Sequence, residues 1–486
     1  MLDAAETGPA RTALRRTPPT WLVVVLACAG QFLVILDVSV VNVALPSMRA
    51  GLDLGPHGLQ WVVNAYAIAF AGFMLLGGRA GDLYGRKRMF LVGLGLFTLA
   101  SLGGGLAQEG WQLLVARAVQ GLGAAVLSPS TLTLLTAAVP EGPARARAIG
   151  TWTAVGAGGG AAGGLVGGLL VDALSWRWVL LINVPVGVVV LAAALLWLAE
   201  SRTGERRRLD LPGAVLVTAG LATLAYGISQ TEVAGWTAPG TVVPLLAGPV
   251  LIGLFFAVEV RTAAPLMPPR LLRMRSVASA NAAMFVCGSS MFCMWFFMTL
   301  YVQNVLGYSP LEAGLALMPS SLAVLLGSKL APRLMRVLGE RAVAVLGTVV
   351  AVAGFGWQST MRMDAAYLTA IMIPGVLMML GAGLAMTPLA AVATAGAGAG
   401  DAGLVSGLVN TSRTMGGSLG LAVMSTIAAA RSGGSGAPEA LTEGYAAVFR
   451  TAAVVLAVGA VLMWVWLPAG RRSTAMAAAG QVNLRG

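Results

Sequence analysis

The chain has 486 residues, 57% of them hydrophobic and only 10% charged, with a mean hydropathy of +0.83. Soluble globular proteins carry about 25% charged residues, so most soluble enzymes are excluded. The excess of 31 Lys and Arg over 19 Asp and Glu would suit a nucleic-acid partner, but these charges sit in alternate loops between apolar runs. Those runs stay unbroken for about 20 residues, enough to cross a bilayer as a helix, whereas barrel strands alternate over about 10.

Residues 1–20 form a basic tail with Arg11, Arg15 and Arg16. The apolar run behind it is long and lacks a small-residue cleavage site, which predicts a retained first span, not a cleaved signal. Hydropathy places six spans at about 21–45, 59–77, 88–108, 111–138, 146–171 and 178–199. A basic linker, 200–210, separates them from a pair within 211–260, and a second linker, 261–276, precedes six more within 277–467. Residues 468–486 are a second tail. Arg49, Arg177, Arg362, Arg431 and Arg450 are the basic residues on one side, Arg117 and Arg413 lie within spans, and the rest fall on the other side. Cytoplasmic loops are the ones enriched in Lys and Arg, so both termini are expected in the cytoplasm, with the chain a multi-pass protein of the cell membrane. The 64 glycines are packing surface between lipid-embedded helices. Cys28, Cys287 and Cys293 fall within apolar runs and are expected to be free.

An ionisable side chain inside a span is costly and is by default a functional candidate. Asp37 lies about 12 Å below the outer end of the first span, and Arg117 about 9 Å below the outer end of the fourth, at 1.5 Å per residue. Matched depths predict that they pair, either as a static ion pair or as a group that loads and releases a proton. Arg413, near mid-depth of the thirteenth span, has no acid at its level. Its partners could be carbonyls, water or an anionic group of the substrate.

Between the second and third spans, GRAGDLYGRKR sets Asp82 among Arg79, Arg86, Lys87 and Arg88, punctuated by Gly78 and Gly85. It reads as a clamp on two helix ends with Asp82 at a helix N-terminus, where a carboxylate is favoured, or equally as a plain basic loop. In the fifth span, Gly159, Gly163 and Gly167 recur every four residues and let a neighbouring helix approach closely, either as plain packing or as a gating seal that opens and closes. No Gly-Lys-Ser/Thr phosphate loop exists around the two lysines, which excludes direct ATP use by this chain. A single His and two separated Lys argue against a lipid-modifying enzyme, and nothing calls for a cofactor or a metal.

In this order, the motifs resemble the major facilitator superfamily, and within it the fourteen-span drug:proton antiporter branch. GRAGDLYGRKR is similar to its loop motif, which implies a conformational lock at Gly78, Asp82, Gly85 and Arg86. LLVARAVQGLGAA resembles its fourth-span motif, which implies proton coupling at Arg117, and LDVSVVNVALP resembles its first-span motif with the acid at Asp37. WRWVLLINVPVG, LDLPG and YVQNVLGYSPLEAGLALMP are also typical of it. Two departures stand out. Gly164 occupies the place of an expected Pro in the fifth-span motif, which puts tight exchange in doubt. The matching loop near Gly339 carries Arg336 where Asp82 would be repeated, so the lock is expected on one side only.

The resemblance implies an all-α integral membrane fold: two six-helix bundles, 21–199 and 277–467, plus two added spans, with a central cavity that opens alternately to each face. The polar side chains expected there are Gln31, Asn64, Tyr66, Gln120, Asn281, Gln303, Asn410 and Arg413, with soft or aromatic surface from Met291, Trp295, Met298 and Tyr301. With Asp37 the only deep acid, the expected function is proton-coupled export of hydrophobic, neutral or singly cationic drugs by a monomer. The alternative on the same fold is export of a self-made metabolite or a lipid. The partners are thus small amphiphiles, protons and membrane lipids.

Overall fold

A computed structural model describes residues 19–140, 143–201, 209–262, 265–395 and 402–468. Every regular element among them is helical. The long helices are α1 (Thr20–Gly51), α2 (Pro56–Tyr84), α3 (Arg86–Gly105), α4 (Gly110–Ala138), α5 (Pro143–Ala173), α6 (Trp178–Trp197), α7 (Leu211–Val233) and α8 (Pro239–Arg261). They continue with α9 (Arg275–Val305), α10 (Pro310–Leu338), α11 (Glu340–Gln358), α12 (Leu368–Ala395), α13 (Ala402–Ser432) and α14 (Pro438–Trp466). Each expected span therefore has its helix. Thirteen of the helices are long and apolar enough to cross a membrane. The other is α13, which carries Asn410, Thr411, Ser412, Arg413 and Thr414 in a row. It packs against α2, α7, α9 and α14, with Thr411 and Thr414 buried among them, so these polar side chains are shielded from lipid.

Local sequence sets the helix ends. Prolines occupy the first turns of α2, α7, α8, α10 and α14, where the missing N–H breaks no bond. Ser309 and Glu312 exchange side-chain and backbone bonds to cap α10. The connections α2–α3 and α10–α11 are each a single glycine at positive φ, Gly85 at 110° and Gly339 at 82°, a backbone region open mainly to glycine. The same turn therefore stands at equivalent places in both halves, although the charged residues around it have diverged.

The packing repeats with an offset of eight helices. In the first half α2 and α3 flank α4, α1 lies along α5, and α3 meets α6. In the second, α10 and α11 flank α12, α9 lies along α13, and α11 meets α14. Backbones touch where glycines face each other. A Cβ on Gly123 of α4 would stand 2.6 Å from the Phe97 nitrogen of α3, and one on Gly381 of α12 would stand 2.5 Å from the Ala351 nitrogen of α11. In lipid, such close approach replaces the hydrophobic drive that holds soluble bundles together.

Two seams join the halves, α5 against α10 and α2 against α13. Helices α7 and α8 pair with each other, and α7 lies across the α2–α13 seam. There Ile68 of α2, Val217 and Leu221 of α7, Phe255 of α8 and Ala422 of α13 share one apolar cluster. The added pair thus braces one seam and leaves the other to α5 and α10.

Candidate functional site

Asp37 is completely buried and accepts three hydrogen bonds: from Arg117 Nη1 at 2.6 Å, Gln120 Nε2 at 2.7 Å and Asn183 Nδ2 at 3.0 Å. Arg117, 2% exposed, also donates from Nε to the Val62 carbonyl at 3.1 Å and from Nη1 to Gln120 Oε1 at 2.6 Å, and its guanidinium stands 4.4 Å from the centre of the Tyr66 ring. Ser101 accepts from Gln120 at 2.8 Å and donates a hydrogen bond to the Phe97 carbonyl. The group therefore draws on α1, α2, α3, α4 and α6. Arg117 and Gln120 are three apart and so share one face of α4. The Gln120 amide points its oxygen at the cation and its nitrogen at the acid.

Arg117 thus has ligands besides the acid: the Val62 carbonyl, the Gln120 oxygen and the Tyr66 face. The sequence reading found the pair and named Gln120 and Tyr66 as cavity residues; the structure gathers both around the pair. It missed Ser101 and Asn183. Asn183 had a signal: it is the only non-aromatic polar residue in the run Trp178–Trp197, and it opens the segment Asn183–Trp197 after a break at Ile182. Ser101 had none, being one small hydroxyl among several.

Other expected cavity residues are dispersed. Asn64 is buried with neither amide atom hydrogen-bonded, and the Tyr66 hydroxyl is likewise without a partner. Gln31 accepts from Ser128 at 3.1 Å, and Asn281 accepts from Ser412 at 2.8 Å. Met298 and Tyr301 are wholly buried in the second half, with the Tyr301 hydroxyl donating to the Arg362 carbonyl. Met291 faces α11 and α12 beside Cys287 and Phe355, whereas Trp295 is half-buried. Arg413 is half-buried and donates from Nε and Nη2 to Asn410 Oδ1, at 3.2 and 2.6 Å. The Asn410 amide nitrogen stands 3.2 Å from Met74 Sδ of α2. Cys28, Cys287 and Cys293 are free and buried, as expected.

The α2–α3 loop differs from expectation. Asp82 falls in the last turn of α2, not at a helix N-terminus, because that helix runs on to Tyr84; its side chain lies outside the described residues. The carboxylate at the start of α3 belongs to Glu200, just after α6, which accepts from the backbone nitrogens of Lys87 and Arg88, both at 3.2 Å. Lys87 in turn donates to the Leu195 and Leu198 carbonyls at the end of α6. A Cβ on Gly85 would strike the Glu200 carboxylate at 2.4 Å. Gly78 faces Pro129 of α4, and Arg79 Nη1 lies 3.3 Å from the Pro265 carbonyl, in the linker after the added helices.

The fifth-span glycines divide between two neighbours. Gly159, Gly163 and Gly167 pack on Phe32, Ser39 and Val40 of α1, inside the first half. Gly164 and Gly168 meet α10 across the seam: a Cβ on Gly314 would stand 2.1 Å from the Gly164 oxygen. At the same end of the molecule, Leu311 N donates to Asp172 at 3.1 Å and Gln303 donates to the Val43 carbonyl at 2.8 Å. The position where the resembling family has Pro is thus where the two halves touch.

Comparison with known proteins accords with this architecture. The family model described as Major Facilitator Superfamily matches residues 27–421. The cephamycin export protein CmcT of Amycolatopsis lactamdurans is 49% identical over 475 residues, covering 97% of this chain and 96% of that protein. The puromycin resistance protein pur8 of Streptomyces alboniger is 38% identical, covering 92% and 91%. Among solved structures, a bacterial homologue of the human lysosomal transporter Spinster, inward-facing and unoccupied, aligns with a TM-score of 0.66 at 16% identity, over 92% of this chain and 97% of that one. With the fold, the buried ion pair and these relatives together, the chain belongs to the major facilitator superfamily, as a multi-pass membrane transporter.

Proposed function

We propose that this protein exports hydrophobic, antibiotic-like small molecules across the cell membrane by alternating access, in exchange for protons, with both termini in the cytoplasm. Efflux of this kind is what the relatives' names describe, and they match over nearly the whole chain. The observation that carries proton coupling is Asp37: a fully buried carboxylate whose cationic partner keeps other ligands when the acid is neutral. In the cycle, Asp37 is ionised while substrate binds from the cytoplasmic side and takes up a proton from outside as substrate leaves. Ser101, Gln120 and Asn183 orient the acid. The α5–α10 contact closes the outer end, and the α2–α3 loop with Glu200 ties helix ends together on the inner side. One copy of the chain suffices, because both halves of the pathway come from the same polypeptide, and no catalytic step is involved.

The test is purified protein in proteoliposomes with an imposed pH gradient, following internal pH and a panel of fluorescent amphiphiles of either charge. Wild type is expected to move dye against its gradient only when protons move the other way, with Asp37→Asn binding dye without coupling. Normal pumping by Asp37→Asn would remove Asp37 from the mechanism, and dye movement independent of the pH gradient would refute exchange.

A further inference from the structure

We infer that Arg413, oriented by Asn410, is a receptor for an acidic group on the substrate, so that the preferred cargo is an amphiphilic anion such as a carboxylic acid. The inference rests on the export reading and specifies its substrate class. Its first support is the state of the two charges buried in the first half. Asp37 is enclosed, with three donors and no exposed surface, so it presents no negative charge to a passing molecule. Arg117 is consumed by the same group. Arg413 is different: among the described residues its hydrogen bonds go only to a neutral amide on its own helix, and no carboxylate lies within ion-pair distance of it. A cation held by one neutral acceptor keeps most of its donors for a ligand, since guanidinium has five.

The second support is direction. At 100° per residue along α13, Gly416 and Gly420 define the face that packs on Phe285 and Ser289 of α9, while Gly407 and Asn410 define the face that meets Leu75 and Met74 of α2. Arg413 projects between them, at the edge where a helix of one half faces a helix of the other. The remaining sides of α13 are covered by α7 and α14. Arg413 therefore lies deep among packed helices, with only a small part of its surface exposed. The side chain starts about 17 Å from the Ala402 end of a helix about 46 Å long, close to the bilayer midplane. The Phe292 ring lies against Gly417, one turn further along. A fixed cation with an aromatic surface beside it matches a molecule with an acidic head and an apolar body. A second buried cation, by contrast, would meet only repulsion.

The experiment measures binding of a diethylaminocoumarin carboxylic acid, its neutral ethyl ester and cationic ethidium to the full-length protein in detergent, by fluorescence anisotropy. Acid and ester differ only in the charged group. Wild type is expected to bind the acid about tenfold more tightly than the ester, the scale of one charge-assisted hydrogen bond. R413Q is expected to erase that ratio and R413K to keep much of it. N410D, which hands the guanidinium a carboxylate of its own, is expected to erase the ratio with Arg413 still in place, a result that loss of folding in R413Q could not mimic. Equal affinities in wild type, preference for ethidium, or a ratio retained in both R413Q and N410D would overturn the inference. Transport of the same probes under a pH gradient separates the two readings. Acid preference in binding without export leaves Arg413 as the receptor and refutes efflux; export without acid preference does the reverse.

Discussion

The two halves of this transporter share a helix framework and treat buried charge in opposite ways. In the first half, an acid and a base meet at 2.6 Å, enclosed by groups from α2, α3, α4 and α6. In the second, Arg413 stands at the edge of α13 with one neutral partner. A fully enclosed ion pair leaves no free charge for a ligand to meet, whereas a partly buried cation with one neutral partner keeps donors to spare. Repeating a fold therefore need not repeat its chemistry, and the duplicated framework leaves each half free to specialise.

The sharpest way to break this contrast is to remove one charge at a time. Arg117→Met leaves Asp37 buried without compensation and is expected to destabilise the protein by about 3–5 kcal/mol, read as a lower unfolding temperature in detergent. Adding Asp37→Asn to it should restore most of the stability without restoring proton-driven transport. Arg413→Met loses only its bonds to Asn410 and is expected to cost about 1 kcal/mol. Equal losses at the two sites would dissolve the distinction between structural and ligand-facing charge.

A second comparison is between the seams. Gly314→Val forces a side chain into the Gly164 backbone, and overpacking of this kind costs about 1–3 kcal/mol. Here the cost falls on the state with the α5–α10 seam closed. Thiol labelling of a Gln303→Cys variant should rise in this background, because Gln303 bonds across the same end; unchanged labelling would place the closure elsewhere.

The paired turns supply a milder test. Gly85→Ala and Gly339→Ala both impose a strained φ at about 1–3 kcal/mol. Only the first also strikes a neighbour, Glu200, while space around Gly339 is open. Thermal unfolding should show Gly85→Ala as the more damaging of the two. The smallest effect is expected from Glu200→Gln, which weakens the charge at the start of α3 by about 0.3–1 kcal/mol. High salt should shrink the difference from wild type, since the group is partly exposed.

The helices were legible because lipid imposes them. A run of apolar residues long enough to span the bilayer has no other way to satisfy its backbone, so composition and spacing alone predict the long apolar helices that the structure shows. The pairing of Asp37 with Arg117 was legible for a related reason, since two opposite charges at matched depth in an apolar medium have few other partners. Asn183 could have been read from its isolation in an apolar run, but its contact with Asp37 depends on how α6 lies beside α1 and α3, which no local pattern encodes. Glu200 capping α3 in place of Asp82 has the same origin, because the residues that meet are 112 and 113 positions apart. The fifth-span glycines announced close packing without saying against what; only the packed bundle assigns Gly163 to α1 and Gly164 to α10. The direction of Arg413 was decided in the same way. Sequence fixes which residues lipid will not tolerate singly, through transfer energies that belong to each segment. Which of them come together depends on helix rotation and backbone approach, which are settled by packing among distant segments.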